Sequence, residues 1–144
     1  MPDRNRAVSI VMVEDDEGHA RLIEKNIRRA GVSNEIVVFA TGAAALEYLF
    51  DARRGSRAPC LILLDLNLPD MTGVEILTAL KLNEATRLSP VIVLTTTDDK
   101  REIEKCYERG ANVYITKPLN YDNFANAIRQ LGLFLSVIQV PDLD

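Results

Sequence analysis

Leu61-Ile62-Leu63-Leu64-Asp65 constrains this chain more than any other stretch: four branched apolar residues run straight into one carboxylate. Pro59 stands before the run, and Pro69 breaks the chain four residues after the acid. A run this short and this apolar reads as a strand buried on both faces, the kind found in parallel sheets covered by helices. Asp65 then sits at the carboxyl edge of the sheet, where open α/β folds bind their ligands.

The remaining segments supply partners for that strand. Residues 8–13 form a first strand that ends in Glu14-Asp15-Asp16, and Ala20, Ile23, Ile27 and Ala30 follow at helical spacing up to Gly31. Residues 35–39 form a second strand, and Thr41 caps an Ala-rich helix through Leu49; residues 51–58 are a polar loop. After the central strand, Thr72-Gly73-Val74-Glu75 has the capping-box signature, and its helix carries Val74, Leu77 and Leu80 on one face. The fourth strand, 91–94, runs into Thr95-Thr96-Thr97, and a charged helix over 98–109 turns Ile103, Cys106 and Tyr107 inward. The fifth, 113–116, ends in Lys117-Pro118, and a last helix from about Asn120 packs Phe124, Ala127, Ile128 and Leu131. Five strands alternating with five helices predict a single doubly wound α/β domain with a parallel sheet.

Glu14 and Asp15, Asp65, Thr95 and Lys117 each end an apolar strand, so in a parallel sheet they converge on one edge. Singly, each has a plainer explanation: a strand-ending Asp caps a helix, and a lone Lys is solvated. Together they pose an electrostatic problem, because three close carboxylates repel and one Lys cannot offset them. A hard divalent ion can, and oxygen-only ligands with room for water suit Mg²⁺. A metal beside an exposed carboxylate, faced by an ammonium and a hydroxyl, is equipment for phosphoryl transfer onto Asp65. Lys117 would neutralise the phosphoryl oxygens and Thr95 would donate a hydrogen bond to them. Neither GxxxxGK nor GxGxxG occurs, so the phosphoryl group is expected from a partner or a small phosphodonor rather than from bound ATP. His19, the only histidine, is expected on the surface and not as a base.

Composition narrows the alternatives. An apolar fraction of 47% and a charged fraction of 26% describe an ordinary globular domain. Net charge is −4 with no basic block beyond Arg53-Arg54, which weighs against direct nucleic-acid binding. No run is apolar enough to cross a bilayer, and no signal-peptide core follows the N-terminus. Cys60 and Cys106 make no metal spacing or disulfide framework and read as buried reduced thiols of a cytoplasmic protein.

Four separated motifs, Glu14-Asp15, Leu63 to Gly73, Val93-Leu94-Thr95 and Tyr114 to Pro118, resemble the receiver domain of two-component response regulators. The resemblance runs from about Val8 to Leu131. It implies a flavodoxin-like fold with strand order 2-1-3-4-5, Asp65 as phosphoacceptor, and Mg²⁺ held by Glu14, Asp15, Asp65 and the Asn67 backbone carbonyl. It implies Thr95 as the switch hydroxyl, Lys117 as the phosphate-binding cation, Tyr114 as the aromatic that turns inward, and a cis Lys117-Pro118 bond. The donor it implies is a sensor histidine kinase. Glu14 stands where many members have Asp, and Thr96 where the family prefers a smaller residue. Asn67 and Thr97 occupy positions that tune dephosphorylation.

The chain ends 27 residues after Lys117, so the expected unit is one receiver domain over 1–144 with a core of 8–131 and an extension over 132–144. Output is then a contact made by the domain itself. Gly132 to Pro141 is too densely apolar for one face of a surface helix, and a two-fold homodimer through the last helix and this tail is expected. The Leu-Gly-Leu-Phe ending resembles stand-alone receivers partnered with bacterial phytochrome histidine kinases. Rival readings fit less well. An Asp-nucleophile phosphatase of the dehalogenase-like class needs a second acid where Asn67 stands. A flavodoxin-like carrier would set a flavin phosphate against acids, and a degenerate receiver would lack part of the acid set.

Overall fold

The computed structural model of the chain describes residues 9–51 and 60–138, with side chains described as far as Gln130. Five strands, β1 (Ser9–Val13), β2 (Ile36–Phe39), β3 (Cys60–Leu64), β4 (Val91–Thr95) and β5 (Val113–Thr116), form one parallel sheet. Their order is β2-β1-β3-β4-β5, as the family resemblance implied. Between and after them run α1 (Glu17–Arg29), α2 (Gly42–Phe50), α3 (Gly73–Leu82), α4 (Lys100–Glu108) and α5 (Tyr121–Ile138).

The central strand shows why apolar runs end up here. Every residue of β3 is buried, because β1 and β4 flank it and helices cover both faces. Alternate residues point to opposite faces of a strand. Accordingly Ile62 and Leu64 join Val11, Val13 and Val93 in a core against α2 and α3. Leu61 and Leu63 join Ile10, Met12 and Ile92 in a second core against α1 and α5, where Phe124 and Ile128 pack. The edge strands β2 and β5 are only partly buried.

Helix ends follow local chemistry. Thr72 accepts from Glu75 N–H at 3.1 Å while the Glu75 carboxylate accepts from Thr72 N–H at 2.8 Å, completing the expected capping box. Gly31 and Gly110 take φ of +89° and +106° just past α1 and α4, where a Cβ would be strained. The Lys117–Pro118 peptide is cis.

One packing expectation is corrected. Tyr107 is 47% exposed, and Cys106 is the buried residue of α4, with Ile103 half-buried beside it. Consecutive helical residues lie about 100° apart, so burying Cys106 turns Tyr107 outward; its hydroxyl reaches back to accept from Tyr114 N–H at 3.1 Å. On α3 the buried stripe is Ile76, Leu77 and Leu80, and Val74 flanks it half-buried. Both cysteines are buried. Among the described residues no helix is long and apolar enough to cross a membrane. Of the polar loop expected over 51–58, only Asp51 is among the described residues. The tail expected to self-associate continues α5 to Ile138, and its side chains and residues 139–144 lie outside the described set.

Candidate functional site

The carboxyl edge of the sheet gathers the polar strand ends. Glu14 follows β1, its N–H donating to Phe39 O at 2.9 Å, so the sheet ladder continues into the acid pair. Asp65 follows β3 in the same way, its N–H donating to Val13 O at 3.0 Å. Lys117 follows β5, its N–H donating to Thr95 O at 2.7 Å. Backbone hydrogen bonds thus extend past the named strands and set the height at which each side chain leaves the sheet.

Carboxylate oxygens of Glu14, Asp15 and Asp65 all lie within 4.8 Å of one another. Glu14 and Asp65 are buried and Asp15 is exposed, so the cluster opens to solvent on one side. Lys117 Nζ lies 2.5 Å from Glu14 Oε1 and 3.4 Å from Asp65 Oδ2. Burial pushes the Glu14 carboxyl above its ordinary pKa, against the pull of the Lys117 hydrogen bond and the Asp16 N–H; the neighbouring Asp65 charge raises it further. One ammonium against three acids leaves a net negative pocket. An all-oxygen donor set with an open side fits a hard divalent cation that keeps part of its water. Asp16, third in the acidic run, is used elsewhere: it caps α1, its Oδ1 accepting from His19 N–H at 2.9 Å, which lowers its pKa.

Asn67 links the end of β3 to the end of β4. Its N–H donates to Asp65 Oδ1 at 3.0 Å, and its side-chain amide donates to Thr95 Oγ1 at 3.3 Å. Thr95 therefore reaches Asp65 through Asn67 rather than directly. Tyr114 stands off the cluster, half-buried, its hydroxyl donating to Thr97 O at 2.7 Å. Burial, with the acidic side chains of the α4 end, pushes its phenol up to about 12.

Two contacts were not foreseen. The exposed His19 places Nδ1 3.0 Å from Lys117 Nζ and 4.0 Å from Glu14 Oε2. Its place in the first turn of α1, directly after the acids, was the available signal. Asp70 takes the N–H groups of Gly42 and Ala43 at 2.9 Å each, capping α2 and holding its own carboxyl below the ordinary pKa. Nothing local announces that bond, because the partners are 28 and 27 residues away. Asp70 shares with Asp15, Asn67, Met71 and Glu75 an open groove of about 550 Å³ beside the acids.

The sequence matches the family described as response regulator receiver domain over residues 10–129. The crystal structure of a response regulator receiver domain from Rhodospirillum rubrum is 67% identical, with a TM-score of 0.76, covering 94% of this chain and 98% of that one. Response regulator Rcp1 of Synechocystis is 32% identical over 135 residues, 92% of each chain. The crystal structure of Mn²⁺-bound Rcp1 is similar with a TM-score of 0.71 at 28% identity, over 96% of this chain and 98% of that one. Bacteriophytochrome response regulator RtBRR is similar with a TM-score of 0.76 at 36% identity, over 94% of this chain and 84% of that one.

Proposed function

Because this chain belongs to the response regulator receiver domain family, whose general function is phosphorylation on an aspartate within a phosphorelay, we propose that Asp65 is its phosphoacceptor. The observation that carries this is the place of the Asp65 carboxylate, between an acid pair and the Lys117 ammonium at the open edge of the sheet. An Asp65 oxygen attacks the phosphorus of a phosphohistidine, the P–N bond breaks, and the imidazole leaves with the bonding electrons. With acetyl phosphate the P–O bond breaks and acetate leaves. Lys117 stands where charge gathers on the transferred phosphoryl oxygens, and such fixed cations need no reorganisation during the reaction. Hydrolysis by water later releases inorganic phosphate and restores Asp65.

Receiver domains bind Mg²⁺. In this chain Glu14, Asp15 and Asp65, with the Asn67 backbone carbonyl, are the proposed ligands; a bound Mg²⁺ would offset negative charge on the acids and on the phosphoryl oxygens. Thr95 is the proposed switch. Its hydroxyl exchanges the Asn67 amide for a phosphoryl oxygen, Tyr114 follows, and the face around α4, β5 and α5 changes its contacts. Such a response needs two conformations whose balance the phosphoryl group shifts.

A receiver domain takes its phosphoryl group from a histidine kinase. The likeness to RtBRR supports a bacteriophytochrome kinase as the partner. We take residues 1–144 as one cytoplasmic signalling unit, dimeric through α5 and the apolar tail, that catalyses only its own phosphoryl uptake and loss. Incubation with Mg²⁺ and acetyl phosphate tests the central assignment by intact mass. The protein gains one phosphoryl group and Asp65→Asn gains none; failure of the unaltered protein would discredit the assignment. A truncation after Leu131 that sediments like the full chain removes the dimer.

A further inference from the structure

We infer that His19 is a positioning residue for Lys117, an assignment that rests on the phosphoacceptor reading above and deepens it. An ammonium has three N–H donors and no lone pair, so in its contact with His19 the imidazole Nδ1 must be the acceptor. The three partners of Lys117 Nζ are Glu14 Oε1 at 2.5 Å, His19 Nδ1 at 3.0 Å and Asp65 Oδ2 at 3.4 Å. The longest of the three points at the reacting carboxylate. The two shorter ones hold the ammonium from opposite surroundings: the Glu14 side chain is 1% exposed and the His19 side chain 46%.

A lysine stem has four rotatable carbons and loses much freedom when its head is fixed. Glu14 alone fixes one donor and leaves the head free to swing about that bond. A second anchor, on the solvent side, aims the third donor at Asp65. The imidazole can serve as that anchor because its own backbone is locked, His19 N–H donating to the Asp16 cap at 2.9 Å. The cap uses only the main chain, so exchanging the side chain leaves α1 intact. His19 Nδ1 lies 3.0 Å from Lys117 Nζ and 4.0 Å from Glu14 Oε2, so the lysine is its nearer partner.

The test compares the unaltered protein with His19→Phe, which keeps a ring without an acceptor, and His19→Asn, whose Oδ1 matches Nδ1 in distance from Cα. Initial phosphoryl uptake from acetyl phosphate is read at saturating Mg²⁺. Misaiming one charge-assisted hydrogen bond slows His19→Phe about tenfold, while His19→Asn stays near the unaltered rate. The second readout is the Lys117 ammonium resonance in ¹⁵N NMR of the metal-free protein. It is resolved in the unaltered protein and His19→Asn, and lost to rapid exchange in His19→Phe. Equal rates for all three proteins, or His19→Asn as slow as His19→Phe, overturn the inference and leave the phosphoacceptor reading standing. No uptake by the unaltered protein removes that reading, and this one with it.

Discussion

The Asn67 side-chain amide donates to Thr95 Oγ1 at 3.3 Å, tying the loop after β3 to the end of β4. Because the Asn67 N–H also holds Asp65 Oδ1 at 3.0 Å, one residue contacts both Asp65 and Thr95.

Thr95→Val keeps the shape of a buried side chain and removes its oxygen, leaving the exposed Asn67 amide to bond water instead. The loss is about 1 kcal/mol, the usual net worth of one hydrogen bond, read as a shift of the urea midpoint at unchanged m-value. Thr95→Ser, which retains the oxygen, holds that midpoint closer to the unaltered protein. A Thr95→Val protein as stable as the original removes the link.

Gly73 lies against the backbone of Asp65 and Leu66. A Cβ there would stand 2.6 Å from Leu66 Cα and 3.2 Å from Asp65 O, and a main chain cannot rotate away as a side chain can. Gly73→Ala costs roughly 1–3 kcal/mol, as overpacking does, and slows phosphoryl uptake because the loop carrying Asn67 must shift. Thermal unfolding and acetyl phosphate kinetics measured together check both effects; a stable variant with normal uptake contradicts the close packing.

Asp70 bridges the loop after β3 to the start of α2, and its two N–H donors lower its pKa. A carboxyl lowered in the fold contributes stability above its unfolded pKa of about 3.9 and loses it as pH falls through the folded value. Asp70→Asn is therefore less stable than the original at neutral pH, and the gap narrows as the solution is acidified below about pH 4. A gap that stays constant with pH shows that the charge contributes nothing.

Burial pushes the Tyr114 phenol up to about 12 in the fold. The unfolded chain releases that proton near 10, so between these values the folded state binds more protons and stability falls as pH rises. A tyrosine ionisation near 12, followed by ultraviolet absorbance, should disappear in Tyr114→Phe. A variant with an unchanged titration places the shifted phenol elsewhere.

What the sequence determined by itself was local. Apolar runs of four or five residues, Thr72 three before Glu75, and Gly31 and Gly110 past two helices sufficed for the element types and the fold class. Burial periodicity and caps act over a few residues, so they are written in adjacent letters. Asp65, Glu14, Asp15, Thr95 and Lys117 were legible as a group for the same reason, each being the polar end of an apolar run. Tertiary structure decided which of them touch. Lys117 meets Glu14 across 103 positions and Asp70 meets Gly42 across 28, contacts that depend on strand register and helix packing. It also gave His19 its place beside the lysine and turned Tyr107 outward, since which side of a helix faces the sheet is set by the whole core at once.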